Sequence, residues 1–299
     1  MPKVKYQEFN FSKSSLALIA KCNQIITDYT AQGFQLTLRQ LYYQLVSRDI
    51  IPNKQTEYKR LGSIVNDARL AGMIDWLAIE DRTRNLQKLR NWQSPAQVVS
   101  EGAYQFHVDM WLGQKYRPEV WIEKDALVGV IEPTCDEFDV PFFSCRGYTS
   151  QSEMWVGAMR LARYARRGGQ TPVIFHLGDH DPSGKDMTRD ITERLAMFMG
   201  GTRLERLALN MDQVREYEPP PNPAKSTDSR FEAYVQEFGD ESWELDALEP
   251  RVLADLIRTA IEKLIVKKEW KKREEAREEG RNQLQAIADN WAAACEAVE

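Results

Sequence analysis

The sequence predicts a mixed α/β protein in which a small basic helical domain precedes a mainly parallel sheet covered by helices. Two observations carry that expectation. From residue 119 onward, short apolar runs alternate with amphipathic stretches of helix length, the pattern of repeated βα units. Before residue 95, three short helical periods are separated by turn residues in a basic segment. The net charge of −5 hides the contrast, because residues 1–95 alone hold 14 Lys/Arg against 8 Asp/Glu. A basic front beside an acidic remainder suits a polyanion held near a cation site; ordinary solvated surface is the plain alternative.

In chain order, residues 12–31 read as a first helix with Leu16, Ile19, Ala20, Asn23 and Ile26 on one face, ended by Gly33. Thr37 reads as the N-cap of a helix through Leu38–Val46. After a turn at Ile51-Pro52-Asn53, a third helix near 56–71 is closed by Gly72. Met73–Ile79 is a candidate strand or wing. Three short helices and a wing in a basic segment resemble a winged helix-turn-helix, and other helical bundles fit nearly as well. Ser94-Pro95 opens a connection, with a helix expected near 96–112.

The βα run follows: strand 119–123, helix 124–137, strand 140–144, helix 151–167, strand 172–178, helix 183–199 and strand 203–209. Pro219-Pro220-Pro221-Asn222-Pro223 is a stiff loop that regular structure cannot use. The end is helical, with one apolar stripe over Val252–Ile265 and another (Leu284, Ile287, Ala288, Trp291, Cys295, Val298) beyond Gly280. Between them runs the charged stretch Lys267–Glu275, which reads as a solvated helix face. The expected domains are 1–95, 96–218 and 219–299.

A hydrophobic content of 42% with 8 Trp is enough for a real core. Four cysteines without CxxC spacing and three histidines argue against a zinc cage, and for reduced thiols in a cytosolic protein. The first residues lack the apolar core of a secretory signal. No apolar stretch nears the roughly 20 residues that span a bilayer. A cytoplasmic protein without a membrane segment is expected.

The chemistry-bearing residues are acids that end two apolar runs: Glu123 after Val120-Trp121-Ile122, and Asp179 and Asp181 after Val173–Gly178. In open α/β sheets, ligands gather at such carboxyl ends. Three carboxylates gathered there would repel, and a bound divalent cation would remove that cost. Oxygen ligands of this kind suit Mg²⁺, which completes its shell with waters and substrate phosphates. Asp181, followed by Pro182, also fits a helix N-cap with proline at the first helical position. A phosphatase pattern with Asp179 as nucleophile fits poorly, since Ser183 stands where that pattern has Thr.

One Glu after a first strand and Asp-x-Asp after a later one, in Gly178-Asp179-His180-Asp181-Pro182-Ser183-Gly184, resembles a TOPRIM domain. Upstream, Thr37-Leu38-Arg39-Gln40-Leu41-Tyr42-Tyr43 places Arg39 and Tyr43 on one helical face. A tyrosine phenol can attack a DNA phosphate and an arginine fork can grip it; equally, both tyrosines could be core aromatics. The order of basic helical domain with Arg-x-x-Tyr-Tyr, then TOPRIM, resembles the A subunit of topoisomerase VI and the related meiotic recombination protein. Further matches are Glu123-Lys124-Asp125-Ala126, Cys145-Arg146-Gly147-Tyr148 and Glu244-Leu245-Asp246-Ala247-Leu248. The resemblance spans roughly residues 35–265. The short length is similar to the reduced Mini-A type of phages and plasmids, and the charged terminal helices have no counterpart.

The resemblance implies a winged-helix (5Y-CAP-like) domain, a Rossmann-like TOPRIM sheet and C-terminal helices. It implies Mg²⁺ on Glu123, Asp179 and Asp181, with Glu123 also able to act in proton transfer. Tyr43 would be the nucleophile that forms a 5′-phosphotyrosyl link, and Arg39 would orient the phosphate. It further implies a homodimer on double-stranded DNA in which each tyrosine meets the other subunit's metal site. The chain has no P-loop, so strand passage would need a separate GHKL-type ATPase subunit. Arg82, Arg84, Arg146 and Lys185 are candidate DNA-backbone contacts, as are Lys225 and Arg230 beside the proline loop. His180 reads as a half-exposed turn residue. Two other readings stay open: a Mg²⁺-dependent endonuclease using water with the tyrosine structural, and a non-catalytic DNA-binding protein.

Overall fold

The computed structural model describes residues 3–79 and 89–296. Its centre is a four-stranded parallel sheet in the order β2-β1-β3-β4, built from β1 (Tyr116–Ile122), β2 (Phe142–Ser144), β3 (Thr171–Leu177) and β4 (Arg203–Ala208). The chain goes from β1 outward to β2, then returns to the other side of β1 for β3. The crevice between the carboxyl ends of β1 and β3 is therefore the topological switch point, where ligands of open α/β sheets bind.

Alternation along the strands feeds two cores. Val120, Ile122, Val173, Phe175 and Leu177 pack on α5 (Val128–Glu137) and α10 (Pro250–Glu262). Trp121 and Ile174 face α6 (Gln151–Gly168) and α7 (Pro182–Met199). Glu119 lies on that second face too, 1% exposed, and its carboxylate accepts two 2.8 Å bonds from Arg160 and one from the Trp121 indole. Pro118 sits inside central strand β1 without loss. The even residues of β1 direct their N–H groups toward β2, which pairs only from Val120 onward.

The N-terminal part forms its own core from α1 (Lys13–Thr30), α2 (Leu38–Ser47) and α3 (Gln55–Leu70). Thr37 caps α2 as expected, in a capping box with Gln40. The candidate wing at 73–79 contains no regular strand. Asp75 Oδ1 accepts from Leu77 N–H and folds the segment into a turn, leaving single bridges between Ala71 and Lys5 and between Ile79 and Leu36.

Other boundaries shift for identifiable reasons. The helix expected over 96–112 is α4 (Pro95–Gln105); Phe106 turns extended, and the Trp111 indole is drawn inward to donate to Phe138 O. The helix after β1 begins only at Val128, following a 3-10 turn at Asp125–Leu127, so Lys124 stays extended just past the carboxyl end of β1. Two further helices interrupt the expected loop region, α8 (Met211–Tyr217) and α9 (Phe231–Phe238). The proline loop is irregular except at β5 (Asn222–Pro223), which pairs with β6 (Glu241–Ser242). α11 (Lys267–Asp289) packs along α4 with no residue buried, and α12 (Trp291–Glu296) follows. Val298 and the Cys295 side chain lie outside the description. Among the described residues no helix is long and apolar enough to cross a membrane.

Candidate functional site

Glu123 is the first residue past β1, and its N–H still bonds Leu177 O at 2.8 Å, so it stands level with the end of β3. Its carboxylate accepts from Asp179 N–H at 2.9 Å. That approach requires glycine at 178, because a Cβ there would lie 2.9 Å from Glu123 Oε2. The loop Gly178–Gly184 is held from below by Arg206 of β4. Its guanidinium donates to the carbonyls of Gly178, Asp179 and Gly184 at 2.6–3.0 Å, and to Thr188. Burial lowers the Arg206 pKa to about 10, which Glu123 and the two aspartates partly oppose. Asp181 caps α7, accepting from Gly184 N–H at 2.6 Å and Ser183 Oγ at 2.9 Å.

The Asp179 carboxylate turns the other way. It accepts from Leu245 N–H at 2.7 Å and pairs with Lys124 Nζ at 2.8 Å. Lys124 also bonds Glu244 and lies 3.3 Å from Asp246. Arg39 completes the network from α2, through Nε to Asp246 at 2.6 Å and Nη2 to Glu244 at 2.9 Å, with its guanidinium 5.6 Å from the Tyr43 ring centroid. Five carboxylates and three cations thus meet where the N-terminal core abuts the sheet.

Charge perturbations follow from this crowding. Burial, then Glu123 and Glu244, push Asp179 up, and the Lys124 ammonium offsets part of that rise. Burial raises Glu123 as well, with Asp181 adding repulsion against the Asp179 N–H and Lys124. Burial disfavours the Lys124 cation, yet Asp179, Asp246 and Glu244 outweigh it and hold the ammonium well above its ordinary range. The Tyr43 phenol is pushed up to about 12, first by burial and next by Glu244, against Arg39 and Lys124.

A cleft of about 590 Å³ opens between the two halves. Arg39, Tyr42, Tyr43 and Tyr58 line its N-terminal wall, and Asp179, Asp181, Trp243, Glu244 and Lys225 line the other. Tyr42 is structural, its hydroxyl donating toward Asn53 and Lys54 O. Tyr43 makes no side-chain hydrogen bond among the described residues. Asp179, Asp181, Arg39 and Tyr43 of one chain are therefore gathered in one cleft, whereas Glu123 lies behind Asp179 and does not line it.

Every acidic donor here is a carboxylate oxygen, the ligand chemistry of a hard divalent ion. Among the described residues Asp246 Oδ1 is buried without a hydrogen-bond partner, an acceptor left over in the same cluster. Among the described residues no three His, Cys, Asp or Glu side chains are grouped as a metal cage, and Asp179 is engaged by Lys124. A cation on Glu123 and Asp181 would have to draw Asp179 away from that ammonium.

The remaining candidates stand apart. His180 is fully buried rather than half-exposed: its backbone pairs with Trp243, and its ring sits among Tyr234, Phe238 and Trp243 with Nδ1 2.7 Å from Tyr234 Oη. Its role is to fix residues 241–246 over the end of β3. Arg146 is exposed and paired to Asp125, and Lys185 lies over the Phe238 ring; neither lines the cleft. Arg230 is engaged by Asp228 and Asp186. Arg82 and Arg84 lie outside the described residues.

The sequence reading gave no role to Lys124, Glu244, Asp246 or Arg206. Lys124 adjoins Glu123 and the two acids flank Leu245, but no local pattern shows that they meet across about 120 residues. Comparison with protein-family models, curated proteins and solved structures returns no match.

Proposed function

We propose that this chain cleaves DNA strands with Tyr43 as the nucleophile, in the manner of a topoisomerase VI A subunit, with residues 1–95 as a winged-helix-like DNA-binding domain and the sheet as a TOPRIM domain. One observation carries the reading: Tyr43, Arg39, Asp179 and Asp181 line a single cleft. The phenol oxygen bonds to a backbone phosphorus as the bond to the 3′-oxygen breaks. The phenol loses its proton to solvent and the leaving oxygen takes one up, giving a 5′-phosphotyrosyl ester and a 3′-hydroxyl. Arg39, released from Glu244 and Asp246 by the incoming phosphate, grips it through its fork. Glu123, Asp179 and Asp181 would hold Mg²⁺, whose charge neutralises the phosphate and the leaving oxygen when bound. Strand passage, if the chain takes part in it, needs a separate ATPase subunit.

A Mg²⁺-dependent endonuclease using water is the second reading, favoured by the burial that keeps the Tyr43 phenol protonated. Incubation with end-labelled duplex DNA and Mg²⁺, followed by a denaturing gel, separates the two. Protein–DNA adducts that vanish in Tyr43→Phe support the tyrosine reading. Free products that survive the same change support the nuclease. Binding without any cutting removes both.

A further inference from the structure

We infer that the outer face of α11 is a contact surface for a second copy of this chain, on which the partner's α11 lies antiparallel. The inference is independent of the cleavage reading and uses a helix that has no counterpart in the family resemblance. Three observations carry it.

The first is a palindrome of charge. About Arg273, the stretch Lys267-Lys268-Glu269-Trp270-Lys271-Lys272 is mirrored by Glu274-Glu275-Ala276-Arg277-Glu278-Glu279 with every charge reversed. Two such helices, antiparallel and centred at the level of Arg273, set Lys267 opposite Glu279 and Lys268 opposite Glu278. They likewise set Lys271 opposite Glu275 and Lys272 opposite Glu274, and two-fold symmetry makes each pairing twice. A parallel arrangement would bring like charges together.

The second is the face on which these charges stand. At about 100° per residue, the four lysines and four glutamates fall within an arc of about 160°. All of them are exposed. The opposite face of α11 is fastened to the body. Trp270 meets the Trp111 and Phe138 rings, Arg273 Nε donates to Asp109 O at 3.0 Å, and Arg281 Nε donates to Phe106 O at 3.0 Å. A second helix can therefore lie on the charged face without displacing α4.

The third is that the pattern suits a lone helix poorly. Lys267 and Lys271, Lys268 and Lys272, Glu274 and Glu278, and Glu275 and Glu279 are like charges at i,i+4, which disfavour an isolated helix. Lys267 and Lys268 also sit at the positive end of the helix dipole. Among these eight side chains the described contacts include one i,i+4 ion pair, Lys271–Glu275 at 3.9 Å. A solvated helix face alternates its signs at that spacing; blocks of one sign call for opposite charges on another chain. Exposed ion pairs are individually weak and screened by salt, so the association is micromolar rather than nanomolar and falls as salt rises.

Two measurements on the full chain test this. In the first, light and heavy-isotope-labelled chains are mixed and treated with a zero-length carbodiimide, which condenses a lysine amine with a glutamate carboxylate. Mass spectrometry should find Lys268 joined to Glu278, and Lys267 to Glu279, in mixed-isotope peptides. Within one helix those partners are about 15 Å or more apart, so the link forms only between chains. The yield should fall about tenfold or more between about 50 and 500 mM NaCl. Absence of these links at low salt would overturn the inference, whatever other contact joins the copies.

In the second, one variant carries Lys267→Glu, Lys268→Glu, Lys271→Glu and Lys272→Glu, and another carries Glu274→Lys, Glu275→Lys, Glu278→Lys and Glu279→Lys. Sedimentation at low salt should show the salt-sensitive association weakened about tenfold or more in each variant alone and restored when the two are mixed. Restoration also shows that both variants are folded. Unchanged association in the single variants, or no recovery on mixing two variants that each keep the wild-type circular dichroism, would overturn the inference.

Discussion

Replacing Lys124 with methionine is expected to destabilise the fold by about 3–5 kcal/mol at pH 7.5, the range for removing one partner of a buried ion pair. Methionine keeps the length and apolar bulk of the side chain, so the change removes charge more than packing. The ammonium lies 2.8 Å from Asp179 Oδ1 and 3.3 Å from Asp246 Oδ2, and its side chain is 14% exposed. At an effective dielectric of about 20, each of these two contacts is worth about 5–6 kcal/mol before desolvation. Burying the ammonium offsets several kcal/mol of that sum, which brings the net loss back to the stated range. The variant leaves Glu244 and Asp246 to Arg39, whose side chain is 46% exposed, and leaves Asp179 with the Leu245 N–H. The loss should also depend on pH. Asp179 has a folded-state pKa raised above its unfolded value, so it favours the fold at low pH and loses that contribution as pH rises through the folded value. Without Lys124 the rise is larger, so the gap between variant and wild type should be wider at pH 9, above the wild-type folded value of about 8, than at pH 7.5. Urea denaturation followed by tryptophan fluorescence in EDTA, extrapolated linearly at both pH values, measures it. A loss below about 1 kcal/mol at pH 7.5, or a gap that widens on acidification, would refute the view that Lys124 holds these carboxylates together.

Three further outcomes are expected. Gly184→Ala should cost about 1–3 kcal/mol or more in the same denaturation assay, because its Cβ would overlap Asp179 O and Arg206 pins that backbone in place. Tyr42→Phe should cost about 1–2 kcal/mol through its lost hydrogen bonds, while Tyr43→Phe stays within about 0.5 kcal/mol; equal losses would make Tyr43 as structural as its neighbour. Burial and then Arg206 lower the His176 pKa from 6.5 to about 3, so its stabilisation is complete above pH 6.5 and fades as pH falls toward 3. Between pH 7.5 and 5.5 the wild type should therefore lose about 1.4 kcal/mol relative to His176→Gln, and equal pH profiles would show that His176 takes up its proton freely in the fold.

Periodicity alone made much of this architecture legible. The βα alternation, the Thr37 cap and the Asp181-Pro182 helix start depend on interactions within a few residues, so the order of neighbours determines them. The sequence likewise marked Glu123, Asp179 and Asp181 as acids at strand ends. Tertiary structure decided what those acids touch. Asp179 is turned to Lys124, Asp181 is engaged with its helix, and Glu244 and Asp246 come into the site because His180 and its aromatic neighbours pin residues 241–246 above β3. The 73–79 segment failed as a strand for a related reason. Its apolar residues fit a strand, but a strand also needs a partner edge, and Asp75 closed a turn where none was offered. Local order in the chain sets which elements form. Ion pairs and clefts join residues far apart in sequence, so only the packing of those elements decides them.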